Sequence, residues 1–312
     1  MSALSAAHFH DEAAAYAWVE AHVWPNGPVC PKCGAGDRIG KMGGKSTRIG
    51  TYKCYACRKP FTVKVNTIFE DSHVALHIWL QAIYLMCSSK KGVSSNQLHR
   101  TLGVTLKTAW FMSHRIREAM RSGGFTMMGG EGAILEADET FIGKKDGVVK
   151  PKNARGYAHK QVALSLVERG GEVRSFCIGK ADTANIKPII DANLAKESRL
   201  MTDQAGYYIA LGKEFAGHES VDHSKEEWVR GDCYTNTLEG YFSIFKRGMK
   251  GVYQHCAERH LHRYLAEFDF RYNNRIRLGV DDAARASKAI LGIKGKRLMY
   301  RDSSLDAESV IN

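Results

Sequence analysis

The sequence predicts a mixed α/β protein in which a small cysteine-rich module and a pair of short helices precede the main core. Three observations support this expectation. Four of the eight cysteines lie in two closely spaced pairs. Two segments with apolar residues at helical spacing follow them. Short β-like runs begin only after a glycine-rich break at residues 122–132, which is a candidate linker.

Length and charge limit the class of protein. At 312 residues the chain exceeds the usual size of one domain, so a core with appended modules is expected. The formal net charge of +12 and the pI near 9.3 favour nucleic acid as a partner. A basic protein without such a partner is the alternative interpretation of the charge alone.

The N-terminal residues have no basic segment followed by an apolar run, which argues against a secretory signal. No stretch approaches the roughly 18 consecutive apolar residues that a membrane span requires. We therefore expect a cytoplasmic, nucleoid-associated protein. Its cysteines would then lie in a reducing compartment, where clustered thiols bind metal more often than they form disulfides.

A helix and a metal-binding module are predicted at the front of the chain, over residues 1–70. Residues 9–24 place apolar side chains at helical spacing. The two cysteine pairs follow as C-P-K-C and C-Y-A-C, and each presents two thiolates from one tight turn. Together they predict a closed tetrahedral Zn²⁺ site, structural and not catalytic, with the ligands Cys30, Cys33, Cys54 and Cys57.

Two short helices joined by a tight turn are predicted within residues 71–122. Leu98 and Leu102 form an apolar stripe, Gly103 ends the first helix, and Thr105 can cap the second. This pattern is typical of a helix-turn-helix, although a hairpin that only packs is the alternative. The predicted DNA-contacting side chains of the second helix are Lys107, Thr108, His114 and Arg115.

The α/β core is predicted over residues 130–280, with residues 281–312 as a C-terminal extension that the sequence does not explain. Three β-like runs in succession indicate an antiparallel meander. A helix, a short strand ending at Asp203 and further helices come next. The predicted strands are residues 133–143, 160–169, 172–179 and 198–203, and the predicted helices are residues 182–196, 205–215, 236–249 and 258–275.

Three carboxylates in this core form a candidate catalytic group. Asp138 lies in a strand whose alternation places it on one face, and Asp203 lies at a strand end, where open sheets present reactive groups. Glu239 lies on a later helix. Their oxygens suit Mg²⁺ or Mn²⁺, and paired ions of this kind promote displacement at phosphorus. Glu136 and Glu139 are rivals of Asp138 that the spacing does not exclude.

Asn236 precedes Glu239 by three residues and Lys246 follows it by seven, so all three share one helix face. The basic segment K-R-G-M-K-G-V-Y after Glu239 contains Arg247 and Lys250. Its lysines and arginine are suited to phosphates, and its tyrosine to an unpaired base. A solvated helix face is the alternative interpretation of this segment.

The ordered set of motifs resembles the DDE-type insertion-sequence transposases, specifically the group with an N-terminal zinc ribbon and a D-D-N/E-K signature. The matching pieces span roughly residues 15–275: the cysteine pairs, the helical hairpin, E-A-D-E-T-F-I-G, T-D-Q-A-G-Y-Y, N-T-L-E-G-Y-F-S-I-F-K-R-G-M-K-G-V-Y and H-L-H-R-Y-L-A-E-F-D-F-R-Y-N-N-R. The resemblance implies a ribonuclease-H-like core with catalytic Asp138 and Asp203, a third ligand on the helix of residues 236–249, and Lys246 near the bound DNA.

The third ligand is Asn in some members of this group and Glu in others, and this chain has both one helical turn apart. Charge favours Glu239, because a carboxylate binds Mg²⁺ more strongly than an amide. The function expected from the resemblance is binding of terminal inverted repeats, metal-dependent strand cleavage and strand transfer by a homo-oligomer on double-stranded DNA. A DNA-binding regulator without activity and a nuclease with the same core are the alternatives.

Overall fold

A computed structural model describes residues 2–121, 123, 126–150, 152, 156–221 and 229–299. It separates into two compact units, formed by the described residues of 1–121 with 279–312, and of 122–278. Residues 281–299 of the predicted C-terminal extension therefore belong to the first unit, while residues 300–312 lie outside the described part. The candidate linker at residues 122–132 is described only in part. The predicted domain boundaries stay predictions.

The first unit consists of a small three-stranded sheet and five α-helices among its described residues. The strands pair antiparallel in the order β1-β2-β3. Short 3₁₀ turns precede the first helix at Ala3–Ser5 and Ala7–Phe9. The elements are α1 (Glu12–Val23), β1 (Ile39–Lys41), β2 (Tyr52–Cys54), β3 (Pro60–Phe61), α2 (Leu76–Ser88), α3 (Ser95–Leu102), α4 (Leu106–Met120) and α9 (Asp282–Leu291).

The helices of this unit begin where the sequence supplies caps. Asp11 accepts a hydrogen bond from the Ala14 N–H at the start of α1. Glu12 on α1 accepts one from the Leu76 N–H and so caps α2. As predicted, α3 ends at Gly103, whose φ of +66° a side chain would disfavour, and the Thr105 side chain caps α4.

The second unit is a five-stranded mixed sheet with helices on both faces. The strand order is β6 (Val173–Ile178), β5 (Gln161–Glu168), β4 (Ile134–Ile142), β7 (Arg199–Asp203) and β8 (Gly217–Val221). The strands β4, β5 and β6 form the predicted antiparallel meander, and β7 and β8 run parallel to β4. The elements are β4 (Ile134–Ile142), β5 (Gln161–Glu168), β6 (Val173–Ile178), α5 (Thr183–Asn193), β7 (Arg199–Asp203), α6 (Gly206–Gly212), β8 (Gly217–Val221), α7 (Asn236–Gly248) and α8 (Leu261–Asn273), with short turns of helix at Met249–Tyr253, Glu258–His260 and Ile276–Leu278.

The central strand β4 contributes to two hydrophobic cores, because its side chains alternate between the faces of the sheet. Leu135 and Ala137 pack with residues of α5 and α6. Ile142 packs with residues of α7 and α8 on the other face. This alternation places the even-numbered residues of β4, including Asp138, on the face that α7 covers. Among the described residues, no helix is long and apolar enough to cross a bilayer.

Candidate active site and metal centre

The four predicted zinc ligands come together in the first unit. The Sγ atoms of Cys30 and Cys57 lie 3.7 Å apart, and those of Cys33 and Cys54 lie 3.6 Å apart. All four lie within 4.8 Å of one another. Four clustered thiols fit Zn²⁺ by donor chemistry, and the cluster leaves no other open ligand position. This geometry supports the prediction of a structural zinc site.

The local fold favours thiolate formation at Cys30 and opposes it at Cys33, where the Ala35 N–H lowers the pKa but burial and the neighbouring thiols raise it to about 12. Burial opposes ionisation of Cys30, but hydrogen bonds from the backbone N–H groups of Lys32 and Cys33, together with neighbouring thiols, hold its pKa at about 7. The metal-binding form of cysteine is the thiolate, so a lowered pKa prepares the site for a cation. Tyr52 and Phe61 pack against the cysteines and exclude water from one side.

Asp138 and Asp203 lie at matching positions of adjacent parallel strands. Ile134 pairs with Arg199 and Glu136 with Met201, and two residues further in this register Asp138, in the middle of β4, is level with Asp203 at the carboxyl end of β7. Carboxylate oxygens of Asp138, Glu139 and Asp203 all lie within 4.8 Å of one another. The sheet thus gathers side chains that are 65 residues apart in the sequence.

The carboxylates repel one another inside a poorly hydrated site. Burial raises the pKa of Asp138 well above its ordinary value, and the charges of Glu139, Asp203 and Glu239 raise it further. Such mutual repulsion is relieved when a divalent cation lies between the oxygens. The oxygen donors and their crowding therefore fit Mg²⁺ or Mn²⁺.

Two tyrosines of α6 hold the Glu139 carboxylate. Tyr207 donates a short hydrogen bond to one oxygen, and Tyr208 donates a hydrogen bond of 2.9 Å to the other. Burial raises the pKa of Glu139, although both tyrosine hydrogen bonds act in the opposite direction. From the sequence, Glu139 was predicted only as a rival of Asp138, and the two tyrosines had no predicted role. The pair Y-Y directly after T-D-Q-A-G was the available signal.

Glu136 anchors the beginning of α7 to β4. Its fully buried carboxylate accepts hydrogen bonds from the Thr237 hydroxyl at 2.8 Å, the Leu238 N–H at 3.0 Å and the Arg169 Nε at 2.7 Å. An anion at a helix N-terminus is favoured by the free N–H groups and the helix dipole. Since Glu136 precedes Asp138 by two residues, this anchor positions the first turn of α7 beside the aspartates.

The helix α7 presents the other predicted catalytic residues. Glu239 lies in its first turn, half-buried and close enough to raise the pKa of Asp138, but it is not one of the three residues whose oxygens all lie within 4.8 Å. Asn236 is exposed at the first residue of α7. Burial lowers the pKa of Lys246, and Asp138 opposes this shift, while Lys250 and Lys160 lower the pKa further.

The predicted DNA-contacting residues divide into exposed and buried ones. Lys107, Arg247 and Lys250 are exposed, and Thr108 is half-buried at the start of α4, where its hydroxyl lies 2.8 Å from that of Thr105. Their contacts with DNA stay predictions.

His114 and Arg115 require a correction, because both side chains are buried in the first unit. The guanidinium of Arg115 donates to the carbonyl oxygens of Ile68 at 2.8 Å and Glu70 at 2.7 Å. His114 packs on the Trp110 ring, with centroids 4.3 Å apart. Helical spacing alone did not separate the covered side of α4 from the open one. These two residues stabilise the unit from inside and are not placed to read a groove.

Comparisons with known proteins match a part of each unit. Residues 129–273 match the family model described as an ISXO2-like transposase domain, and residues 10–60 match a transposase zinc-ribbon domain. A similar curated relative is an uncharacterised protein in the transposable element ISH50 of Halobacterium salinarum. It is 28% identical over 270 residues, which cover 80% of this chain and 86% of the relative.

Among solved structures, a chain of the simian T-cell lymphotropic virus intasome in complex with the PP2A regulatory subunit B56 gamma is 12% identical. The match covers 55% of this chain and 63% of that chain, and the TM-score of 0.28 is too low to bear on the fold. The assignment comes from the two family models and the insertion-sequence relative. The chain therefore carries a transposase zinc-ribbon domain followed by an ISXO2-like, DDE-type transposase domain, and it is similar to a protein of an insertion sequence.

Proposed function

We propose that this transposase cleaves DNA at the terminal inverted repeats of its insertion sequence and joins the freed ends to target DNA. The observation that carries the proposal is the level position of Asp138 and Asp203 on adjacent parallel strands, with carboxylate oxygens of both within 4.8 Å. Glu239 on α7 completes the set as the third ligand. Asn236, exposed one turn earlier, supports the ligands without replacing them.

These three carboxylates would hold Mg²⁺ or Mn²⁺, which supplies activation of the attacking oxygen and stabilisation of the leaving one at phosphorus. Lys246 lies two helical turns after Glu239 and pairs with a DNA phosphate near the carboxylates. Water provides the first attacking oxygen and the freed 3′-hydroxyl provides the second. No side chain forms a covalent bond to DNA in either step.

DNA recognition belongs to residues 1–120 in this proposal. Lys107 and Thr108 at the start of α4 contact the terminal repeat, and the zinc ribbon keeps its fold through the four cysteines. Exposed Arg247 and Lys250 contact the backbone near the cleavage site. A homo-oligomer, a dimer or larger, is required because two transposon ends must be joined together.

The test uses labelled duplex DNA that carries the ends of the insertion sequence, with Mg²⁺ and with target plasmid. Cleaved and joined products support the proposal. Cleaved ends without joining indicate a nuclease with the same core, and binding without cleavage indicates a DNA-binding regulator. The Asp203→Asn variant is the matched control, since it keeps the shape of the site and the predicted DNA-binding surface but removes one ligand charge.

A further inference from the structure

A cavity of about 470 Å³ lies directly beside the carboxylates in the second unit. Glu139 belongs both to the wall of this cavity and to the carboxylate group. The rest of the wall comes from the end of β4, the beginning of β5 with residues just before it, the last turn of α7 and the residues that follow α7. The volume lies within the range of about 300–1,000 Å³ typical of small-ligand pockets, so it admits a single nucleotide but no duplex.

Three lysines make the cavity attractive to phosphate. Lys160, Lys246 and Lys250 all line it, and Lys160 and Lys250 lie close enough to Lys246 to affect its ionisation. Lysine ammonium groups bind phosphates as compact positive charges. The acidic wall at Glu139 lies on the side of the carboxylate group. The cavity wall thus carries both ammonium groups and the Glu139 carboxylate, and Lys246 lies close enough to Asp138 for that carboxylate to act on its pKa.

An exposed aromatic ring stands next to these lysines. Tyr157 is 54% exposed and lines the cavity. Its ring stacks on the ring of Phe141 near the end of β4, with centroids 4.8 Å apart and planes at 28° to each other, and this contact supports one face of the Tyr157 ring. The Nζ of Lys160 lies 4.9 Å from the Tyr157 centroid. A supported ring beside ammonium groups is the combination that binds a single-stranded nucleotide, with the base stacked and the phosphate paired.

The backbone at Gln254 also points to a constrained site. Gln254 lines the cavity with a φ of +59°, a conformation that non-glycine residues seldom adopt, and its N–H donates to the Met249 carbonyl at 2.8 Å. Strained residues of this kind collect at ligand sites, where the surrounding structure holds them. Gln254 thus contributes to the cavity wall a residue type whose side-chain amide can both donate and accept hydrogen bonds.

We propose that this cavity is a subsite for one unstacked nucleotide of the DNA strand next to the scissile phosphate. Its base stacks on Tyr157, the Gln254 amide contacts the base edge, and Lys160 and Lys250 pair with its phosphates. This inference rests on the proposed function, because it places the nucleotide beside the catalytic carboxylates. Removal of a base from the stack costs free energy, which the stacking on Tyr157 offsets.

The first measurement is binding of a fluorescein-labelled oligothymidylate of about 12 nucleotides to the full chain, with Ca²⁺ in place of Mg²⁺. We expect Tyr157→Ala to raise the Kd about fivefold or more, because one base–aromatic stack is lost, and Tyr157→Phe to change it less than about twofold. Lys160→Ala weakens binding and flattens its salt dependence. Lys213→Ala, which removes an exposed charge of the same unit outside the cavity wall, is the matched control.

The second measurement locates the base. The same oligonucleotide carries one 5-iodouracil, and irradiated complexes are digested and mapped by mass spectrometry. Crosslinks at Tyr157 support the subsite, and crosslinks confined to other regions overturn it. In the binding measurement, a Kd of Tyr157→Ala equal to that of Lys213→Ala also overturns it. Neither readout requires strand cleavage. If the chain crosslinks at Tyr157 but does not cleave DNA, the subsite is supported and the proposed function is contradicted. If it cleaves DNA but does not crosslink at Tyr157, only the subsite is contradicted.

Discussion

Asp138, in the middle of β4, is level with Asp203, the last residue of the adjacent parallel strand β7. This relationship follows from the pairing of β4 with β7, which joins the antiparallel half of the sheet to its parallel half. Pairing of neighbouring strands places side chains from distant parts of the sequence beside each other, so the two carboxylates meet. Without this crossover, the two aspartates would share no space for a cation.

The third carboxylate is tested by comparing Glu239→Gln with Glu139→Gln. We expect Glu239→Gln to lower Mn²⁺ affinity more, because both oxygens of Glu139 already accept hydrogen bonds from Tyr207 and Tyr208. Isothermal titration calorimetry of the full chain with its zinc retained measures this affinity. A greater loss in Glu139→Gln would assign the third ligand to β4 instead of α7.

The anchor at Glu136 predicts a large stability effect from a residue that touches no substrate. Glu136→Ala leaves the Arg169 Nε and the Leu238 N–H without their buried carboxylate, and loss of one member of such a pair costs about 3–5 kcal/mol. Denaturant unfolding of the variant and the wild-type chain measures the difference. Glu136→Gln keeps the side-chain shape and is expected to lose less. Equal stability of Glu136→Ala and wild type would remove the anchoring role.

The zinc site predicts a metal-dependent first unit. Cys54→Ser replaces a buried ligand and is expected to abolish stoichiometric zinc and to lower the melting temperature, since binding energy at a structural zinc site is folding energy. Zinc content by atomic absorption and thermal unfolding report both effects. Cys87→Ser, at a buried cysteine outside the cluster, is the control that should retain zinc. Full zinc content in Cys54→Ser would contradict the site.

A buried carboxylate in the second unit predicts a pH-dependent stability. Burial raises the pKa of Asp269 from 3.8 to about 7, although Tyr241 and Ser175 donate hydrogen bonds to it. The folded state therefore binds more protons than the unfolded state between pH about 4 and about 7. The stability contributed by protonated Asp269 is complete below that window and is lost as the pH rises through about 7.

Asp269→Asn removes this titration and keeps the side-chain size. We expect the melting temperature of Asp269→Asn to rise relative to that of the wild-type chain as the pH increases from about 5 to about 8. Each pKa unit corresponds to about 1.4 kcal/mol, so the relative gain amounts to a few kcal/mol at most. A difference between the two chains that stays constant over this pH range would show that Asp269 keeps an ordinary pKa when folded.

Local patterns predicted much of this molecule from the sequence. The zinc ligands were predictable because each cysteine pair lies within a single turn. The meander, the strand that ends at Asp203 and the cap at Thr105 depend on short-range alternation or on hydrogen bonds between close neighbours. The order of Asp138, Asp203 and Glu239 indicated the candidate site before their proximity was visible.

The parts of the fold that were not predicted depend on contacts between residues far apart in the sequence, which short-range patterns do not indicate. The strand β8 begins with Gly-His-Glu-Ser, which has no apolar alternation, and it forms by pairing with β7. The helix α9 lies in a segment that the sequence left unexplained, although Asp281 caps it through the Ala284 N–H. The burial of Arg115 depends on carbonyl groups 45 and 47 residues away in the sequence.

In the proposed function, Asp138 and Asp203 together hold the cation that DNA cleavage requires. The measurement is Mg²⁺-dependent cleavage of labelled transposon-end DNA by the wild-type chain, Asp138→Asn and Asp203→Asn, with DNA binding followed in parallel. We expect each variant to bind the DNA but to lose cleavage by about a hundredfold or more, because each removes a charged ligand. Full-rate cleavage by either variant would contradict the proposed function.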